Sequence, residues 1–397
     1  MKGRLAIEGG EPVRQALLPY GRQSIDDEDI SAVIDVLRSD WLTTGPTIGQ
    51  FEEAFAQQTG AAEAVAVSNG TAALHAAMYA AGVGPDDEVI VTPMTFAASA
   101  NAAVYLGAKP IFADVEPETL LLDPNTIEEK ITTRTRAIVA VDYAGQPCDY
   151  DAINAIAQKH NLVVIDDACH AVGGNYNGRS VGTLAGLNTF SLHPVKHLTT
   201  GEGGVITTDD SKLAGKMRVF RNHGITSDHR QRAEQGGFFY EMVDLGYNYR
   251  LTDFQAALGI SQLKKLAGWV EKRQAIAHMY DAALAQVDAV APLSVRSGVS
   301  HAYHLYMVQL DLASLTVDRA AIFQALRAEG IGVNVHYIPV HLHPYYQQTF
   351  GTGPGNCPAA EAAYERLLTL PIFPQMTNSD VEDVVTAVQK VVEAYQR

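Results

Sequence analysis

Cysteine is scarce: 397 residues hold only three, Cys148, Cys169 and Cys357. They form no CxxC or Cys/His cluster and leave an odd one out. That argues against a disulfide framework or a structural zinc site and points to a reducing compartment. Positive charge is scarce as well. With 29 Lys and Arg against 45 Asp and Glu the formal net charge is −16. Such a field repels polyanions, so neither nucleic acid nor an acidic membrane surface is expected as a bulk partner, although a basic pocket for one small anion stays open. No 18 apolar residues run together uncharged, as a bilayer-spanning helix requires. The opening MKGRLAIEGGEPVRQ lacks the continuous apolar stretch of a signal peptide. The chain therefore reads as cytoplasmic. Internal repeats and low-complexity tracts are missing, and so are the GxGxxG dinucleotide fingerprint and the GxxxxGK[ST] P-loop, which counts against a nicotinamide dehydrogenase or an NTPase.

What is present is the composition of a globular protein, 47% apolar and 19% charged. Roughly 150 residues per domain gives two or three domains. Helix and strand signals alternate: helix Asp26–Arg38, strand Ala64–Val67, helix Thr71–Gly82, strand Glu88–Thr92, helix Ala97–Leu106, then strands Pro110–Ala113 and Ala137–Val141, helix Asp151–His160 and strand Leu162–Asp166. Short apolar β runs between helices predict an α/β fold with a mostly parallel sheet covered on both faces. The texture changes near residue 252. One long charged helix is expected over Leu251–Asp281, then a small α/β region (Tyr303–Leu310, helix Asp318–Gly330, Val333–Tyr337) and a closing helix over about 380–396. Gly351–Pro358 reads as a surface loop.

Three segments carry candidate chemistry. In Ser191-Leu-His-Pro-Val-Lys196-His-Leu-Thr-Thr-Gly-Glu-Gly-Gly204 a lysine follows a strand-like run and precedes a glycine-rich turn that permits close backbone approach. A lone lysine is normally a solvated charge. A Schiff-base lysine, by contrast, needs a place buried enough to depress its pKa, with room for a planar cofactor. In Val163-Val-Ile-Asp166-Asp167-Ala-Cys-His170 an apolar strand ends in two carboxylates, at the sheet edge where α/β folds bind ligands. Such acids often only cap a helix; their functional use is to keep a pyridinium nitrogen protonated. Val67-Ser-Asn-Gly70-Thr71-Ala72 is a strand, turn and helix start suited to a phosphate monoester. With Phe96 between the phosphate turn and the acid, the order is that of a fold-type I pyridoxal-phosphate enzyme.

The stretches TTGPTIGQFE, SNGTAALHAA, GPDDEVIVTPMTFAASANA, DDACHAVG, GEGG, GYNYRLTDFQAALG and NVHYIPVHLHPYY together resemble the nucleotide-sugar aminotransferase family, from about Leu18 to the C-terminus. The resemblance implies a large cofactor domain over residues 1–251 with a mostly parallel seven-stranded sheet, then a bridging helix and small α/β domain over 252–397. It implies pyridoxal 5'-phosphate as cofactor, with Lys196 as Schiff-base lysine and proton carrier and Asp167 as partner of the pyridine nitrogen. Phe96 would stack on the ring and His170 approach its hydroxyl. Gly70, Thr71, Ala72 and Ser191 would hold the phosphate. Asn248 or Arg250 would reach the phosphate of a neighbouring subunit's cofactor, making a homodimer the working unit. His336, His341 and His343 match no zinc spacing and no metal is expected; the resemblance makes His336 and Tyr337 part of the sugar-nucleotide wall.

Within the family, PYGRQSID and SLHPVKHLTTGEGG are most similar to the branch that makes the 4-amino precursor of pseudaminic acid. Glutamate would then be the amino donor and UDP-4-keto-6-deoxy-N-acetyl-altrosamine the acceptor. The alternatives are a GDP-perosamine type of sugar, a non-catalytic cofactor-binding regulator, and a 3-dehydratase, which the family marks with His where this chain has Lys196. Asp142 stands where relatives mostly carry His, Asp166 where they usually carry Glu, and Cys169 where they have Ala or Ser.

Overall fold

The computed structural model describes residues 4–227, 230, 232 and 236–397. Seven strands form the central sheet: β1 (Glu63–Val67), β2 (Glu88–Val91), β3 (Lys109–Phe112), β4 (Thr135–Val141), β5 (Val163–Asp167) and, after the two-residue strands β6 (Asn175–Tyr176) and β7 (Arg179–Ser180), β8 (Leu187–Ser191) and β9 (Gly204–Thr208). Their order is β1-β9-β8-β5-β4-β2-β3. The pairs β2/β3, β2/β4, β4/β5 and β5/β8 are parallel. Strand β9 runs antiparallel to both β8 and β1. The sheet is therefore mostly parallel, as expected. Continuous apolar strands such as Glu-Val-Ile-Val in β2, buried along its whole length, belong in a sheet covered on both faces.

Helices α1 (Asp27–Leu37), α2 (Pro46–Thr59), α3 (Gly70–Ala80), α4 (Ala98–Tyr105), α5 (Tyr150–His160) and α6 (Ser211–Phe220) accompany the sheet. Helix α3 is built of small residues and buries nine of its eleven positions, which lets it lie close over the strands. The chain continues through helices Asp253–Leu263 and Leu266–Leu284 into a three-stranded antiparallel sheet, β10 (Val290–Pro292), β12 (Tyr306–Leu310) and β13 (Leu367–Leu370), while β11 (Val299–Ser300) pairs with β6. A second hydrophobic cluster forms around that sheet and the closing helix Asn378–Tyr395, and it takes in Leu5 and Leu18 from the start of the chain. Among the described residues no helix is long and apolar enough to cross a membrane.

Two sequence expectations need correction. The single helix over Leu251–Asp281 is two helices, broken at Lys264–Lys265. Lys265 turns inward there to pair with Asp26 and Asp29 at 2.5 and 3.0 Å. The stretch Val333–Tyr337 is not a strand and keeps only the bridge Asn334↔Thr369. Its polar groups are spent elsewhere: Asn334 Oδ1 accepts the Val335 amide, and the His336 carbonyl accepts the Tyr143 hydroxyl.

Candidate active site

The carboxyl ends of β5 and β8 and the turn after β1 meet at one edge of the sheet. Asn69 caps α3, its Oδ1 accepting the Ala72 amide at 2.8 Å and its carbonyl the Ala73 amide at 3.1 Å. The first-turn amides of Gly70 and Thr71 are then the ones left for an anion, at the positive end of the helix dipole. Ser191, at the end of β8, stands against this turn. A Cβ on Gly70 would lie 2.8 Å from the Ser191 Cβ, so only glycine fits there. The Ala72 amide, by contrast, is already engaged with Asn69.

Asp167 ends β5 and is buried. Its Oδ2 accepts the Ser99 hydroxyl at 2.6 Å and its Oδ1 the Cys169 amide at 3.3 Å. Ser99 is itself bonded to Thr95 at 2.7 Å, one turn earlier. The carboxylate is thus pinned by the segment that also carries Phe96, a residue 62% exposed. Phe96 lies 6.1 Å from the Tyr337 ring centroid, and the Tyr337 hydroxyl meets His170 Nε2 at 3.1 Å. His170 is buried, and among the described residues its Nδ1 has no partner.

Lys196 sits half-buried on the turn after β8, its amide bonded to the His193 carbonyl at 2.9 Å. Burial lowers the pKa of its ammonium, while Cys169 and Asp167 act in the opposite direction. The charge of Lys196 is felt by His170, His197, His304 and His336, all held below the ordinary histidine range chiefly by burial. His304 lies 4.4 Å from His170 and 5.7 Å from His197 between ring centroids. These imidazoles are neutral at pH 7 and form an uncharged wall behind the lysine. His336 is part of this packing, its ring nitrogens meeting Thr369 Oγ1 at 2.8 Å and Asn334 Nδ2 at 3.4 Å.

One model matches residues 23–389, that of the DegT/DnrJ/EryC1/StrS aminotransferase family. The chain belongs to this family. It is 44% identical to the spore coat polysaccharide biosynthesis protein SpsC of Bacillus subtilis over 96% of this chain and 98% of SpsC. Among solved structures it resembles PseC of Helicobacter pylori, an aminotransferase of pseudaminic acid biosynthesis, with a TM-score of 0.89 and 33% identity over 96% and 100% of the two chains. It also resembles the sugar aminotransferase candidate Spr1654 of Streptococcus pneumoniae in its PMP form, with a TM-score of 0.90 and 32% identity over 95% and 99%. The PLP form of Spr1654 is similarly close. The fold is that of fold-type I aminotransferases, and the protein is a sugar aminotransferase that uses pyridoxal phosphate.

Of the residues singled out in the sequence, Gly70, Thr71, Ser191, Phe96, Asp167, His170, Lys196, Tyr337 and His336 gather at this edge. Asn248 and Arg250 do not join them: among the described residues no hydrogen bond links either to Lys196, Asp167 or Ser191. Arg250 donates to Asn222 Oδ1 at 2.9 Å and lines a cleft of about 250 Å³ with Thr44, Glu52 and Arg221. Between them Tyr249 is tied to the phosphate turn, its carbonyl accepting the Ser68 amide at 2.8 Å. Sequence reasoning missed Ser99 and His304. The Thr95/Ser99 pair at i, i+4 was a faint signal; nothing in the sequence announced His304.

Proposed function

We propose that this aminotransferase moves an amino group from glutamate to C4 of UDP-4-keto-6-deoxy-N-acetyl-altrosamine, giving a UDP-4-amino sugar for pseudaminic acid or a related surface glycan. The observation that carries the transfer chemistry is the placement of half-buried Lys196, on the turn after β8, within electrostatic reach of Asp167 at the end of the neighbouring strand β5, close to the N-terminus of α3. The choice of sugar is supported by likeness to PseC and SpsC.

The residues present fit pyridoxal phosphate. The free amides of Gly70 and Thr71 and the Ser191 hydroxyl would take its phosphate. Asp167 would hold a proton on its ring nitrogen, and the exposed face of Phe96 would cover the ring. The unpartnered His170 Nδ1 would meet the ring hydroxyl. When bound, the cofactor supplies an electron sink for the charge left when a proton leaves the amino-bearing carbon. Lys196 Nζ, its proton affinity reduced by burial, would take that proton and deliver it on the cofactor side, and reverse the path for the sugar. Tyr337 and His336 would wall the sugar side.

A second copy of the chain would complete the site. Phe238, Phe239, Met242, Val243 and Leu245 lie exposed just before Asn248 and Arg250, a contiguous apolar ribbon of the kind that marks an interface. The direct test is to incubate the loaded protein with glutamate and the UDP-4-keto sugar and identify the product by mass spectrometry. An amino sugar with matching 2-oxoglutarate supports the proposal. A deoxygenated sugar, or oxoglutarate without an amino sugar, contradicts it.

A further inference from the structure

Behind Asp167, on the other face of the sheet, lie two carboxyl groups without enough donors. Asp166 precedes Asp167 in β5, so the pleat turns it to the opposite face. Asp142 follows β4, where the register pairs Ala140 with Asp166 and Val141 with Asp167. Both acids are fully buried. Asp142 Oδ1 accepts the Cys148 amide at 3.0 Å and the Tyr150 hydroxyl at 2.9 Å. Among the described residues, Asp142 Oδ2 and both oxygens of Asp166 have no hydrogen-bond partner.

Among the described residues, the groups facing the pair supply no cation. Tyr150, on α5, contacts both acids and gives its one proton to Asp142. The Cys148 thiol donates to the Val141 carbonyl at 3.2 Å. Arg296, whose charge reaches Cys148, is held by Glu116 and Asp149 at 2.8 and 2.5 Å. Asp167 adds a third carboxyl, tied to the pair through the Asp142 amide, which donates to the Asp167 carbonyl at 3.2 Å. Two bare carboxylates cannot share such a place, because buried like charges force one group to keep its proton.

We propose that Asp142 and Asp166 hold a proton between them and act as positioning residues for Asp167, limiting the negative charge behind the residue that faces the cofactor. The role toward Asp167 rests on the function proposed above; the shared proton does not. Burial and mutual repulsion drive both carboxyls upward, Asp142 to about 8. While the proton is present, Asp167 is free to serve the ring nitrogen. Once it is lost at alkaline pH, an added negative charge one strand away reaches Asp167 and the ring nitrogen it faces, and the field at the ring changes. The pair is therefore an alkaline-sensitive charge built into the sheet.

Infrared spectroscopy of the cofactor-free full-length protein tests the proton directly. The expected result is a protonated-carboxyl stretch at neutral pH that disappears as the pH is raised into the alkaline range and is missing at neutral pH in Asp166→Asn, where an amide donor replaces the shared proton. Absence of the stretch from the wild-type chain at neutral pH would overturn the pair. The link to Asp167 is read from the visible spectrum of the cofactor-loaded protein. A spectral step with the same alkaline midpoint is expected in the wild type and is expected to vanish in Asp166→Asn. Persistence of that step in the variant, or its absence from the wild type, would overturn the positioning role. A chain that takes up no pyridoxal phosphate would overturn the functional reading and this role together, and the infrared band, which needs no cofactor, separates that failure from failure of the pair.

Discussion

At the scale of single residues the account turns on Lys196 and on what holds Asp167. In the roles proposed above, removing Lys196 removes both the covalent attachment point and the proton carrier. Lys196→Ala is expected to lower amino transfer by at least roughly 10²–10⁴-fold, the range for one positioned acid–base group, measured by single-turnover kinetics with glutamate. Ser99→Ala deletes a 2.6 Å bond to a buried carboxylate. Hydrogen bonds to charged groups contribute about 1.5–3 kcal/mol, so cofactor affinity should weaken by about tenfold or more in a fluorescence titration, with the fold intact by circular dichroism. Lys196 and Asp167 were legible because each sits in a local pattern: a strand followed by GEGG, and an apolar strand ending in acids. Ser99 was not, because its bond to Asp167 spans 68 positions. The departures at Asp142 and Asp166 were visible one at a time. That they form one cluster follows only from the parallel register of β4 and β5.

At the scale of elements, the turn between β1 and α3 is the most constrained piece of the site. Gly70→Ala places a methyl 2.8 Å from the Ser191 Cβ, and such overpacking costs about 1–3 kcal/mol. It should separate the turn from β8 and release phosphate, seen as weakened retention of pyridoxal phosphate on dialysis. Asn69→Ala, which removes the cap of α3, should cost about 1 kcal/mol in denaturant unfolding. Most sheet strands could be read from short apolar runs. Strand β9 (Gly204–Thr208) could not, because its opening glycine belongs to the GEGG turn and its last two residues are threonines. The helix break at Lys264–Lys265 carries no glycine or proline. What makes it is tertiary: Lys265 pairs with Asp29, and Gln262 Nε2 donates to the same carboxylate at 2.6 Å. Periodicity cannot see such contacts.

At the scale of the whole molecule, buried histidines set the acid limit. Burial pushes His75 and His336 down to about 4 and His301 to about 3, and His170, His197 and His304 also well below the ordinary value. The unfolded chain binds protons at these groups near 6.5 and the folded chain only at lower pH. Stability should therefore fall as pH drops from about 6.5 toward 4, each histidine contributing up to about 1.4 kcal/mol per pH unit. Denaturant unfolding at neutral and mildly acid pH checks this; a flat profile would contradict it. The second copy is tested at the same scale. Phe238, 90% exposed in one chain, should be covered by the partner, so Phe238→Asp is expected to shift sedimentation toward the monomer and lower activity with it.

The central claim, that this edge of the sheet is a transamination centre, is tested most directly by the visible spectrum of the cofactor-loaded protein before and after glutamate, and again after the UDP-4-keto sugar. The account predicts a cofactor band that glutamate bleaches and the sugar restores, with the Lys196→Ala protein unable to complete the cycle. A band that glutamate leaves unchanged, or a Lys196→Ala protein that cycles like the wild type, would contradict it.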